Sequence, residues 1–245
     1  RKLAYGGYVM AEANQGFGNN DYGDYDVAGK LRKGRMTYQA IVGTYYRNAH
    51  KLVGNKNIDY TYNDGTTLNK KVDYEQNERL RTYSTGVSAR YDSEKLIWSL
   101  QAGMRLNEVP RSHTQQHVFY DDVELGSSIS DADSRSITPY LTSQFVTYGL
   151  PHNGYAYGGF SFSYNHNSGN NHYQLMASDS QELYNGTKEN AYLPSLWLGY
   201  GFPIYQQNYL VFTTSLNTEI YRTNYSGTAD TFQKLINTYY SFDLN

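Results

Sequence analysis

From Lys95 to Asn107 the chain reads KLIWSLQAGMRLN, and its two parities separate. Leu96, Trp98, Leu100, Ala102, Met104 and Leu106 form one set. Lys95, Ser99, Gln101, Gly103, Arg105 and Asn107 form the other, with Ile97 as its one large apolar member. In a strand the two sets face opposite sides of the sheet, whereas a helix would mix them on every face. The spacing therefore predicts a β-strand with one apolar face. The alternation recurs at Tyr83-Thr85-Val87-Ala89-Tyr91, at Met36-Tyr38-Ala40-Val42-Thr44-Tyr46 and at Leu210-Phe212-Thr214-Leu216-Thr218-Ile220. It is looser along Tyr192–Phe202 and Phe160–Tyr164. About ten strands are predicted, near 3–17, 24–33, 36–48, 79–91, 95–107, 135–149, 154–166, 190–204, 208–222 and 231–243.

The connections alternate in length. Arg32–Arg35, Asp92–Lys95, Leu150–Asn153 and Tyr205–Asn208 are short. Polar stretches at 49–78, 108–134 and 167–189 are expected to be long loops, with shorter ones near 18–23 and 223–230. One end of the sheet would then carry tight turns and the other long loops. No composition shift divides the chain, so 1–245 is expected to be a single all-β domain.

Two solvents can explain such a one-sided pattern. A soluble sandwich turns its apolar face inward, towards a second sheet. A transmembrane barrel turns it outward, towards lipid, and keeps the polar face in the lumen. Strand length, loop asymmetry and the aromatic ends of the apolar stripes favour the barrel. Tyr38 and Tyr46 close one stripe, Tyr83 and Tyr91 another, and Trp98 and Tyr192 take similar positions. These six are the candidate lipid-interface aromatics, because such rings match the boundary between hydrocarbon and water. The fold class expected is an all-β transmembrane antiparallel barrel, with a soluble Tyr-rich β-sandwich adhesin or glycan-binding module as the alternative.

Composition narrows the field further. The chain has 28 Tyr, 22 Gly and no Cys, 18% charged residues and a formal charge of −2. Disulfide and cysteine–metal scaffolds are excluded. A nucleic-acid partner is not expected at a pI near 6.3. Mean hydropathy is −0.72, which averages an apolar half with a polar half and describes neither. Prion-like low complexity does not maintain stripes of this regularity.

Catalytic chemistry is sparse. His113 and His117 are read as solvated loop histidines rather than zinc ligands, and His166 and His172 as a strand end entering a loop. The acids Asp121, Asp122, Glu124, Asp131 and Asp133 lack the spacing of a calcium loop. No enzyme activity, cofactor or metal is expected. Gly158–Gly159 and Gly199–Gly201 are read as points of sheet curvature rather than phosphate loops. Aromatics on the polar parity are the exceptions worth following. Trp197, Tyr45, Tyr140 and Tyr148 are candidate lumen contacts for a ligand, with lumen filling as the alternative role.

KLAYGGYVMAEANQGF at 2–17, the following Tyr22-Gly23-Asp24-Tyr25, and DVAGKLRKGRMTYQAIVGTYYRNAHKL resemble the opening barrel strands of TonB-dependent outer-membrane receptors. Arg1-Lys2 resembles the tail of the plug's last strand. The resemblance extends along the chain as barrel pattern without an invariant motif, and neither a plug domain nor a TonB box is recognisable. It implies the barrel portion of a longer polypeptide in a bacterial outer membrane, acting in nutrient uptake. Implied partners are outer-membrane lipid, a plug domain, a TonB-type energy-transducing protein and a surface lipoprotein. A structural or assembly component of an outer-membrane complex is the second functional expectation.

Overall fold

A computed structural model describes residues 5–121, 123–176, 180–205, 208–227 and 231–244. Arg1–Ala4, Asp122, Gln206 and Gln207, for which expectations were stated above, lie outside the described residues. The chain is all-β. Its strands are β1 (Tyr5–Gly16), β2 (Asn20–Lys33), β3 (Met36–Thr61), β4 (Thr67–Asp92), β5 (Leu96–Tyr120), β6 (Val123–Leu150), β7 (Gly154–Met176), β8 (Gln181–Tyr205), β9 (Asn208–Ser226) and β10 (Thr231–Leu244). A single 3-10 turn, Pro151–Asn153, joins β6 to β7. All ten strands form one antiparallel sheet in strict chain order, β1 to β10. Among the described residues β1 and β10 do not pair, so the sheet is open.

The short connections fold as expected. Lys33 pairs with Met36 across a two-residue turn, where Gly34 takes φ +64°, a conformation a side chain would resist. The long ones do not. The stretches at 49–78, 108–134 and 167–189 are not loops. β3 runs on to Thr61 and β4 begins at Thr67, while β5 continues to Tyr120 and β7 to Met176. The segment holding His166 and His172 likewise lies inside β7. Backbone ladders depend on N–H and C=O groups that every residue carries, so a strand persists where both faces are polar and hydropathy no longer alternates. β3 and β5 each insert a bulge, between Ala49 and Leu52 and between Glu108 and Ser112, as the hairpins leave the apolar zone.

The register joins the apolar parities into one continuous face. Val9, Gly29, Ala40, Val87, Ala102, Leu141, Phe162 and Pro194 follow one another along successive ladders. No second layer covers either face among the described residues. The buried apolar residues are only Ala28, Ala49 and Ala191, and no large side chain is fully buried. The accessible surface is 16544 Å². A compact soluble chain of this mass would expose roughly 11,000 Å². Val9 is 79% exposed and Tyr240 72%. The sheet is therefore held together by its ladders and by side chains lying flat along it, without a core.

Candidate functional site

The apolar face has definite margins. In β5 it runs from Leu96 to Leu106, ten steps of ~3.3 Å which, tilted by ~40°, cover roughly 25 Å of height. At the tight-turn margin Tyr91 pairs directly with Trp98, and Trp98 with Phe145. At the other margin stand Tyr46, Tyr83 and Tyr192; Tyr83 pairs with Leu106, and the rings of Tyr192 and Tyr164 are 5.0 Å apart. Tyr38 pairs with Ala89 near the tight-turn end. All six candidate interface aromatics thus share one face, distributed between its two margins.

In the rows between those of Trp98 and Leu106 this face carries no Asp, Glu, Lys or Arg in any of the ten strands, while Lys33 shares the Trp98 row and Arg222 and Lys234 share the Leu106 row. The opposite face carries Glu12, Asp24, Asp26, Lys30, Arg90, Arg105 and Glu219 over the same height. Two polar groups on the apolar face are satisfied by neighbouring strands, Thr214 Oγ1 by the Ser241 carbonyl and Trp98 Nε1 by Ser143. Trp98 Nε1 donates to Ser143 Oγ at 3.0 Å, from a serine that is itself buried. Without that acceptor the indole N–H would face an apolar surround unpaired.

On the polar face, aromatics lie across glycines of neighbouring strands. Tyr157 of β7 spans Gly199 of β8, and its hydroxyl reaches Thr213 Oγ1 of β9 at 2.6 Å. A Cβ on Gly103 would sit 2.5 Å from the Tyr140 hydroxyl, and one on Gly159 would meet Trp197 Cζ2 at 2.6 Å. Gln101 Nε2 also donates to the Tyr140 hydroxyl, at 3.4 Å. Tyr148 pairs with Tyr155, and Tyr45 with Asp24 and Thr82. Trp197, Tyr45, Tyr140 and Tyr148 therefore share the polar face but are spread over β3, β6 and β8 without forming one pocket. The glycines serve as troughs for aromatic rings, a role that composition did not announce.

The hairpin extensions carry the polar chemistry. His113 Nδ1 lies 2.8 Å from Asp131 Oδ1, His117 Nδ1 2.8 Å from Glu124 Oε1, and His172 Nε2 2.7 Å from Glu182 Oε1. The His172 and Tyr184 rings stack at 4.1 Å with planes 3° apart, beside a cavity of about 550 Å³ that Asp131, Asp133 and Asn170 also line. The Tyr184 hydroxyl donates to Glu182 at 2.8 Å. That bond, with help from His172, holds the Glu182 carboxyl below the usual range. The same bond pushes the Tyr184 phenol up. Among the described residues no group of three His, Asp or Glu could hold a metal ion. The histidine–carboxylate pairs were invisible in sequence because their members are brought together by register, as His113 and Asp131 are across the β5–β6 ladder.

No protein-family model matches the chain, and no curated protein matches its sequence.

Proposed function

We propose that the chain forms lipid-facing wall of a transmembrane β-barrel in a bacterial outer membrane, and that this barrel belongs to a TonB-dependent receptor engaged in nutrient uptake. The observation that carries the membrane reading is the uncovered apolar face about 25 Å tall, charged only in its marginal rows and bounded by aromatics. In water such a face would be an aggregation surface far above the few hundred Å² that soluble monomers expose. In hydrocarbon it is the required surface, and the charged opposite face suits an aqueous lumen.

Hydrocarbon also requires every backbone N–H and C=O to be paired, so an open sheet edge has no place there. The edges of β1 and β10 are accordingly sealed in the functional protein, by each other or by further strands. The uptake role rests on the resemblance of the β1–β3 segment, with a plug domain, a TonB-type protein and a surface lipoprotein as its partners. The hairpin extensions would meet substrate outside the membrane.

The test is extraction and heat-modifiable gel migration. The expected result is a protein that needs detergent and runs as a distinct folded band until boiled. A chain that stays dispersed without detergent and shows one band would sink the reading.

A further inference from the structure

Resting on the membrane reading, we propose that the hairpin-side margin of the apolar face binds the phosphate groups of an anionic lipid, with Arg79 and Arg111 at the centre of the site. The inference begins with an anomaly in the register. Arg79 of β4 and Arg111 of β5 are direct ladder partners, so two guanidinium groups stand opposite each other on one face. Like charges so placed repel, and a sheet gains nothing from them unless an anion lies between. Both line a cavity of about 300 Å³ that also takes in His50 and His113. Arg111 has one distant carboxylate, Asp131 at 3.8 Å, and Arg79 has no ion pair among the described residues.

The surroundings extend the same sign. At the last apolar row the same face carries Arg222 and Lys234, and one row further Arg81, Arg135 and Lys188, all exposed. Glu108 is the only carboxylate in those two rows; it pairs with Arg81 in the ladder and lies 3.2 Å from Arg135 Nε. Asp21 and Asp133 stand on this face at the height of Arg79 and Arg111, so over the three rows seven cations meet three carboxylates and four charges remain uncompensated. Counting strand rise from Tyr83, Arg81 stands roughly 5 Å and Arg79 roughly 10 Å beyond the apolar margin, the height of lipid headgroups. On the opposite margin, Lys33 is the one strand cation of this face, beside turn residues Arg35, Glu94 and Lys95. The field is one-sided, so it selects the leaflet on the side of the long hairpins.

Guanidinium groups suit this task because their fork donates two parallel hydrogen bonds to a phosphate, whereas an ammonium offers a point charge. The extra residue of β5 between Glu108 and Arg111 is what brings Arg111, in place of Pro110, opposite Arg79 on this face.

The experiment uses the protein folded in zwitterionic detergent and presented with phosphatidylglycerol or phosphatidylcholine, with retained lipids counted by native mass spectrometry. Wild type should retain phosphatidylglycerol over phosphatidylcholine by about tenfold, and Arg79→Gln with Arg111→Gln should abolish most of that preference. Lys33→Gln with Arg35→Gln at the opposite margin should leave it intact. Each variant's folded gel band confirms that it has not simply unfolded. Equal retention of the two lipids, or an unchanged preference in the double arginine variant, would overturn the proposal. So would complete displacement by millimolar inorganic phosphate, which would assign the site to a soluble anion. A protein that never required detergent would bring down the membrane reading first. One that folds in detergent without lipid preference would bring down this inference alone.

Discussion

The Tyr157 hydroxyl on β7 bonds to Thr213 Oγ1 on β9 at 2.6 Å, crossing β8 at the one residue, Gly199, that leaves room for the ring. The three residues lie in a single row across the ladders, so the tyrosine acts as a strap over the middle strand. The three atoms nearest a Cβ on Gly199 would all belong to the Tyr157 ring and its hydroxyl. Tyr157→Phe should therefore cost about 1 kcal/mol, the net worth of one hydrogen bond. Gly199→Val should cost ~1–3 kcal/mol by forcing the ring away. In a double-mutant cycle Tyr157→Ala should relieve much of the Gly199→Val penalty, since the obstructing atoms all belong to that side chain. Unfolding in urea reads all three, and strictly additive costs would contradict the strap.

The protein has two tryptophans, one on each face, which makes the facing directly measurable. With Trp197 replaced by Phe, emission should come from Trp98 and be quenched by brominated lipid acyl chains. With Trp98 replaced by Phe, emission from Trp197 should resist the lipid quencher and respond to aqueous acrylamide. Reversal of the two patterns would invert the assignment of the faces.

Leu100 and Gln101 are adjacent in chain and opposite in orientation at mid-height of the band. Leu100→Arg should destabilise the protein in a bilayer by ~2–4 kcal/mol, while Gln101→Arg should be nearly neutral. Refolding titrations in phospholipid vesicles would measure the difference. Equal penalties would be incompatible with lipid on one side and water on the other.

Glu182 gives the hairpin extension a pH dependence. Its carboxyl is held below the ordinary value by the Tyr184 hydroxyl and by His172. A depressed carboxylate contributes stability above its unfolded pKa and loses it as pH falls through the folded one. The cluster of His172, Glu182 and Tyr184 should thus be intact at neutral pH and come apart only in acid below the normal glutamate range. Carbon-detected NMR should show Glu182 titrating low, and Tyr184→Phe should return it towards the ordinary value. Glu182→Gln should in turn lower the titration of Tyr184 towards that of a free phenol. A Glu182 midpoint indifferent to Tyr184 would refute the coupling.

Much of the architecture was legible because alternation is a direct imprint of an asymmetric environment. Leu96 to Leu106 could be read as one face because apolar and polar neighbours strictly exchange sides. The same logic failed at Lys70–Glu78, where both parities are polar and the strand continues without a hydropathic trace. Loop lengths were overestimated for that reason alone. That Tyr38, Tyr46, Tyr83, Tyr91, Trp98 and Tyr192 share one face was findable from the parity of their positions. The aromatic–glycine troughs, the histidine–carboxylate pairs and the Arg79–Arg111 juxtaposition were not. Each joins residues on different strands, and only the register, with its bulges, determines which ones meet.

The sheet order follows the chain order without exception. No strand has to be inserted between two that are already joined, and each new one finds its template in the strand just completed. Contacts close over short stretches of chain, so the loop entropy to be overcome at each step stays small. Growth by successive hairpins also means that only the two outermost strands are ever unsatisfied. The sheet can thus be built at a moving edge, from either end.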